Sequence, residues 1–155
     1  MSGRIEARLK QLGIELPEPA APVANYVPFT ISGNLVFVSG QICVWNGERR
    51  FVGKLGAGIG VPEGQQAARL CAVNILAQLR AACGGDLDRV RRCLRLGGFV
   101  NCTPDFTDMP QVVNGASDLM VEVLGDAGRH ARAAVGNSSL PGGVAVEVEG
   151  TFEIG

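Results

Sequence analysis

Aromatic side chains are scarce in this chain of 155 residues: one tryptophan, one tyrosine and six phenylalanines, 5% in all. Charge of one sign is missing too, because 14 Lys and Arg face 15 Asp and Glu for a net charge of −1. Single-stranded nucleic acid is held by stacked aromatics in a positive groove, and duplexes by a strong positive field. The balance therefore argues against a dedicated nucleic-acid binder. There is one histidine, His130, and the five cysteines (Cys43, Cys71, Cys83, Cys93, Cys102) form no C-x-x-C. No zinc-site spacing results, and no metal is expected. No apolar run approaches the roughly 20 residues of a membrane helix. The opening MSGRIEARLKQLG is charged and lacks the apolar stretch of a secretory signal. A cytoplasmic protein without a membrane partner is the expectation, its cysteines acting as small buried hydrophobes.

What the chain has is glycine (22) and proline (8), hence many turns, and a 46% hydrophobic content able to build one core. A single domain over 1–155 is expected, with a helix and a proline-rich arm in 1–25 and the core in 26–155. Ile5, Leu9 and Leu12 share one face of a short helix that stops at Gly13, and LPEPAAPVAN (16–25) reads as an extended arm on the body of the domain. Two strands follow, Tyr26–Ile31 and Leu35–Ser39, joined through Ser32-Gly33-Asn34, the second breaking at Gly40. After a glycine-rich loop, Pro62 and Glu63 start a helix whose Ala67, Leu70, Cys71, Asn74, Ile75, Gln78, Leu79 and Ala82 keep the 3.6-residue period up to Gly84-Gly85.

Asp86-Leu87-Asp88 reads as a linker before a strand in RVRRCLRLGGFVNC. A helix over about Met109–Leu124 comes next, then strands Ala131–Gly136 and Val144–Ile154 joined by NSSLPGG. This predicts an α+β two-layer sandwich, a mixed but mostly antiparallel sheet with two helices on one face. The last strand alternates Val144, Val146, Val148 with Ala145, Glu147, Glu149, so the second face differs in character and invites burial against other subunits.

Read as a hairpin, the final two strands leave Arg132 one residue short of standing opposite Glu147, a gap that a bulge closes. Arg132 among small alanines offers a planar fork for a carboxylate, and a glutamate beside it can polarise a water. The same pair also reads as a cross-strand ion pair that only steadies the hairpin. LGAGIG (55–60) lacks the G-x-G-x-x-G spacing and is read as a flexible loop. Arg89, Arg91, Arg92 and Arg95 read as a solvated strand edge, and His130 as a surface or interface residue.

ARAAVGNSSLPGGVAVEVE (131–149), YVPFTISGNLVFVSGQI (26–42) and VNGASDLM (113–120) together resemble the RidA/YjgF family of enamine/imine deaminases, formerly labelled endoribonuclease L-PSP. The resemblance implies a chorismate mutase-like fold and homotrimers with pockets between subunits. It implies cofactor-free hydrolysis of 2-aminoacrylate and other 2-imino acids to 2-keto acids and ammonia. By the same resemblance Arg132 grips the substrate carboxylate and Glu147 positions water. Tyr26 and Asn114 line the pocket, and Ser39 and Gly40 approach the ligand through their backbone. Ala134 stands where the family often has cysteine, which removes any thiol role. Residues 1–25 and the longer glycine-rich loop extend beyond the common core. A non-catalytic 2-keto acid-binding protein using the same pocket is the alternative, and a ribonuclease a further one.

Overall fold

The structure, a computed structural model, describes residues 3–19 and 25–155. Helix α1, Arg4–Gln11, buries Ile5 and Leu9, as the spacing predicts. Its first turn has no cap of its own. Instead the Asp88 carboxylate accepts from the amides of Arg4 and Ile5, at 2.9 Å each. Those two hydrogen bonds, Ile5 first, hold the Asp88 carboxyl below its ordinary range. The segment expected as a linker thus fastens the N-terminal helix to the core by capping it from outside. Of the proline arm, Leu16 packs on the core and Pro17 is buried. Residues 20–24 lie outside the described residues.

Strand β1 is Phe29–Ser32, β2 Leu35–Ile42, and two-residue pairings β3 (Val44–Trp45), β4 (Glu48–Arg49), β5 (Lys54–Leu55) and β6 (Gly58–Ile59) occupy the glycine-rich loop. Helix α2 is Val61–Ala82, β7 Val90–Asn101, α3 Met109–Leu124, β8 Ala131–Asn137 and β9 Val146–Ile154. Five strands form one sheet in the order β1-β2-β9-β7-β8, every neighbouring pair antiparallel except β7–β8. The two long helices cover one face. Val36, Val38, Leu96, Val100, Val146, Val148 and Phe152 point beneath them, together with Ala67, Cys71, Ile75 and Leu79 of α2 and Val113, Ala116 and Met120 of α3. All five cysteines are buried and free, small core residues as expected.

Three expectations about this sheet need correction. The first strand begins at Phe29, so Tyr26 lies in the bend before it. Strand β2 runs through Gly40 on a bulge between Val38 and Gln41 instead of ending there. Most consequentially, β8 and β9 are not a hairpin, because β7 lies between them. The unit β7–α3–β8 is a crossover in which the chain returns in its original direction, so β8 pairs parallel with β7 and is an edge strand. Strand β9 takes β7's other side. The arginine run consequently sits on an inner strand, although Arg91 and Arg92 precede the stretch that β8 covers and remain exposed.

The helices pack closely enough that Gly115 has no room for a side chain: a Cβ there would lie 2.0 Å from the Gln65 carbonyl oxygen on α2. Gly115→Ala is expected to cost about 3 kcal/mol through forced separation of the two helices. The check is a lowered urea midpoint with an unchanged m-value, the signature of lost stability without a change of fold.

Candidate active site

The end of β2 is anchored by a buried helix residue. Asn74 of α2 donates its amide to the carbonyls of Ile42 (3.3 Å) and Val44 (2.8 Å), and to Leu70 (3.1 Å) on its own helix. Ile42 is the ladder partner of Glu147 on β9. Just before it, the bulge brings Gly40 so near that a Cβ there would stand 2.1 Å from Glu147 Oε2. Gly40 does not have positive φ, so its missing side chain is a matter of space over the carboxylate. Ser39 donates its amide and its hydroxyl to the Pro28 carbonyl, at 2.9 and 3.0 Å, which ties the Tyr26–Pro28 bend against β2. Tyr26 itself is half exposed.

Glu147 is half-buried, and burial pushes its carboxyl above the usual glutamate range, with the neighbouring Glu149 charge adding to the shift. A carboxylate held by a packed strand under a glycine, with raised proton affinity, suits general acid–base work. Gly40→Ala is expected to displace that carboxylate by roughly 1 Å, a shift that can cost about 100-fold in rate. Steady-state kinetics of the variant, with an unchanged circular dichroism spectrum, would test this.

Arg132 lies elsewhere. On β8 it pairs with Leu96, whose side chain is buried under the helices, whereas Glu147 is opposite Phe99, three residues further along β7. An odd offset along a strand reverses the face. Arg132 therefore faces the α3 side and Glu147 the open side, about 10 Å apart across the strands and about 10 Å along them. The expectation that they are neighbours on one face is corrected: no cross-strand pair exists within one protomer, because β7 separates their strands.

What Arg132 meets is α3. Its Nη1 donates to Asn114 Oδ1 at 2.8 Å and to Ser117 Oγ at 3.2 Å. Asn114 and Ser117 are one helical turn apart and point to the same side. Among the described residues no carboxylate pairs with Arg132. The six expected site residues thus fall into two clusters: Arg132 with Asn114 at the sheet edge, and Glu147, Gly40 and Ser39 on the open face, with Tyr26 at the border of the latter.

Ser117 and His130 belong to the arginine cluster, Ser117 without having been anticipated. His130 is half-buried and bonded to Ser117 Oγ at 2.8 Å and to the Gly128 carbonyl at 2.6 Å. The i, i+3 spacing of Asn114 and Ser117 and the i, i+2 spacing of His130 and Arg132 were the available signals. Among the described residues no three His, Cys, Asp or Glu side chains converge as metal ligands. No helix there is long and apolar enough to cross a membrane.

Residues 6–148 match the family described as "YjgF/chorismate mutase-like, putative endoribonuclease". Protein TCP17 of Trypanosoma cruzi is 50% identical over 154 residues, 99% of this chain and 96% of the relative. The crystal structure of Atu1372 from Agrobacterium tumefaciens, a protein of unknown function, is 52% identical with a TM-score of 0.90, covering 97% of this chain and 93% of that one. One of the same endoribonuclease description, from Shewanella oneidensis, is 39% identical with a TM-score of 0.94, covering 98% of this chain and all (100%) of that one. The α+β sandwich with its mostly antiparallel sheet is the fold of these proteins, and the chain belongs to the RidA/YjgF family.

Proposed function

We propose that this protein hydrolyses reactive enamine/imine intermediates, 2-aminoacrylate and related 2-imino acids, to 2-keto acids and ammonia, in an assembly of three copies. The observation that carries the reading is Arg132: a guanidinium on an edge strand, one nitrogen held by neutral partners and no carboxylate paired with it among the described residues. That is how a binding site for an incoming carboxylate is prepared. Bound there, 2-aminoacrylate tautomerises to the 2-imine, a proton moving from nitrogen to C3, and a further proton from solvent gives the iminium, whose C2 is electrophilic, so the chemistry requires no cofactor. Glu147 takes a proton from water as the oxygen bonds to C2, giving a carbinolamine. Glu147 passes that proton to nitrogen, the C–N bond breaks as the hydroxyl returns its own proton to Glu147 and closes to the carbonyl, and the keto acid leaves with ammonia, which takes up that proton as ammonium.

Because Arg132 and Glu147 lie on opposite faces, this mechanism takes Arg132 from one subunit and Glu147 from the next. The open sheet face supports such packing: Phe37 (43% exposed), opposite Thr151 on β9, and Val135 (45% exposed), beside Phe99 on β7, present apolar surface that subunit contact would cover. The same separation favours one alternative, a protein that binds 2-keto acids without turning over imines, since within a lone protomer the anchor and the base are on opposite faces of the sheet.

The test generates 2-aminoacrylate from serine with a dehydratase and follows imine loss and pyruvate formation with and without the protein. Acceleration above the spontaneous rate is expected. No acceleration across a panel of imines, with a 2-keto acid still bound, would replace the enzyme by the binder. RNA affinity that falls with salt and with loss of Arg91 and Arg92 would favour a ribonuclease.

A further inference from the structure

Arg132 stands at the end of a hydrogen-bonded chain that the proposed mechanism leaves unused. The chain starts at the Gly128 carbonyl, in the single helical turn Gly125–Gly128 between α3 and β8. Gly128 is buried, and a Cβ there would lie 2.2 Å from the Met120 carbonyl oxygen, so this turn is pressed against the back of α3. A carbonyl only accepts, so His130 Nδ1 carries the hydrogen in the 2.6 Å bond to Gly128. In the neutral ring Nε2 is then the acceptor, and the Ser117 hydroxyl donates to it across 2.8 Å. With its hydrogen spent on His130, Ser117 Oγ offers a lone pair to Arg132 Nη1 at 3.2 Å. Asn114 Oδ1 accepts the other Nη1 hydrogen at 2.8 Å.

Both hydrogens of Nη1 are thereby used. The opposite edge of the guanidinium, formed by Nε and Nη2, donates to none of the described residues and is the edge that grips a carboxylate with two parallel bonds. We propose that Ser117 and His130 are positioning residues: together they fix the hydrogen-bond polarity that turns the Nε/Nη2 edge of Arg132 toward the ligand. This rests on the reading of Arg132 as a carboxylate anchor. A flexible arginine must lose rotamer freedom each time it binds, and a chain rooted in a packed turn removes that cost in advance.

The probe is 2-oxobutyrate, titrated calorimetrically, with 2-aminoacrylate turnover measured on the same variants. Ser117→Ala and His130→Ala are each expected to weaken binding about 5- to 10-fold, the cost of ordering one flexible side chain anew at each binding event. KM rises in the same ratio and kcat stays within about 2-fold, because the carboxylate does not react. The double variant is no weaker than either single one, since both cut the same chain. His130→Gln, whose amide oxygen can accept from Ser117, restores binding to within about 2-fold of wild type. In an Arg132→Lys background, which has no Nη1 to hold, Ser117→Ala has no further effect.

Losses that add in the double variant, or that persist in the Arg132→Lys background, would show a general structural role and overturn the proposal. So would singles that bind as well as wild type. If Arg132→Ala itself binds 2-oxobutyrate as wild type does, the anchor reading falls, and this proposal with it.

Discussion

Arg132→Ala is expected to abolish tight ligand binding while leaving a folded protein. The side chain is exposed, makes no ion pair among the described residues, and its hydrogen bonds among them are to Asn114 and Ser117. Removing it leaves two neutral groups that water can satisfy, so stability changes by about 0.5 kcal/mol or less. Binding is another matter. Two charge-assisted bonds to a carboxylate, each contributing about 1.5–3 kcal/mol, correspond to a loss of 100-fold or more in 2-keto acid affinity. Arg132→Lys keeps the charge but has no second prong, and is expected to recover only part of that loss. Calorimetric titration separates the two variants, and a wild-type affinity in Arg132→Ala would refute the anchor.

Glu147→Gln is expected to uncouple binding from turnover. Glutamine fits the space under Gly40 but cannot take a proton from water, so kcat is expected to fall by about 100-fold to 10,000-fold. 2-Keto acid affinity should stay close to wild type, because the anchor lies on another element. A fall in affinity with kcat intact would move Glu147 from the reaction to the binding surface.

This substitution also has a stability consequence whose sign follows from burial. The Glu147 carboxyl titrates above its usual range in the folded protein, through desolvation first and the Glu149 charge second. As pH rises past the ordinary glutamate pKa, the unfolded chain releases its proton while the folded one retains it, so stability falls until the folded group has also ionised. Glu147→Gln removes that loss and is expected to raise the melting temperature above pH 7 while having little effect near pH 4. Wild-type activity moves the opposite way, increasing with pH as the carboxyl ionises into the base that the reaction uses.

The helices were legible from local pattern alone. The apolar period from Ala67 to Leu79, with Pro62 before and Gly84-Gly85 after, specifies α2, and Pro110 and Gly125 bound α3 in the same way. The buried and open faces of β9 were equally plain from its alternation, since successive strand residues point to opposite sides. The separation of β8 from β9 was not read from NSSLPGG, which looks like a hairpin loop. The correct signal was the preceding helix: a strand that follows a crossover helix runs parallel to the strand before it, and so pairs with β7. His130 was read as a surface or interface residue and given no role, because a single histidine next to a strand has no local signature. Its partners, Ser117 and Gly128, lie in other elements.

By itself the sequence determined the order of the helices and of the strands of the main sheet, and which of their faces are buried, while Arg132 and Glu147 were singled out by the family resemblance. These depend on residue type and short-range spacing. The tertiary structure alone decided that the two face opposite sides of the sheet, that Gly40 lies over one, and that Ser117 and His130 hold the other. Such relations depend on which strands become neighbours, and beyond the crossover that pairs β8 with β7, strand order is set by the packing of helices on the sheet, a long-range outcome.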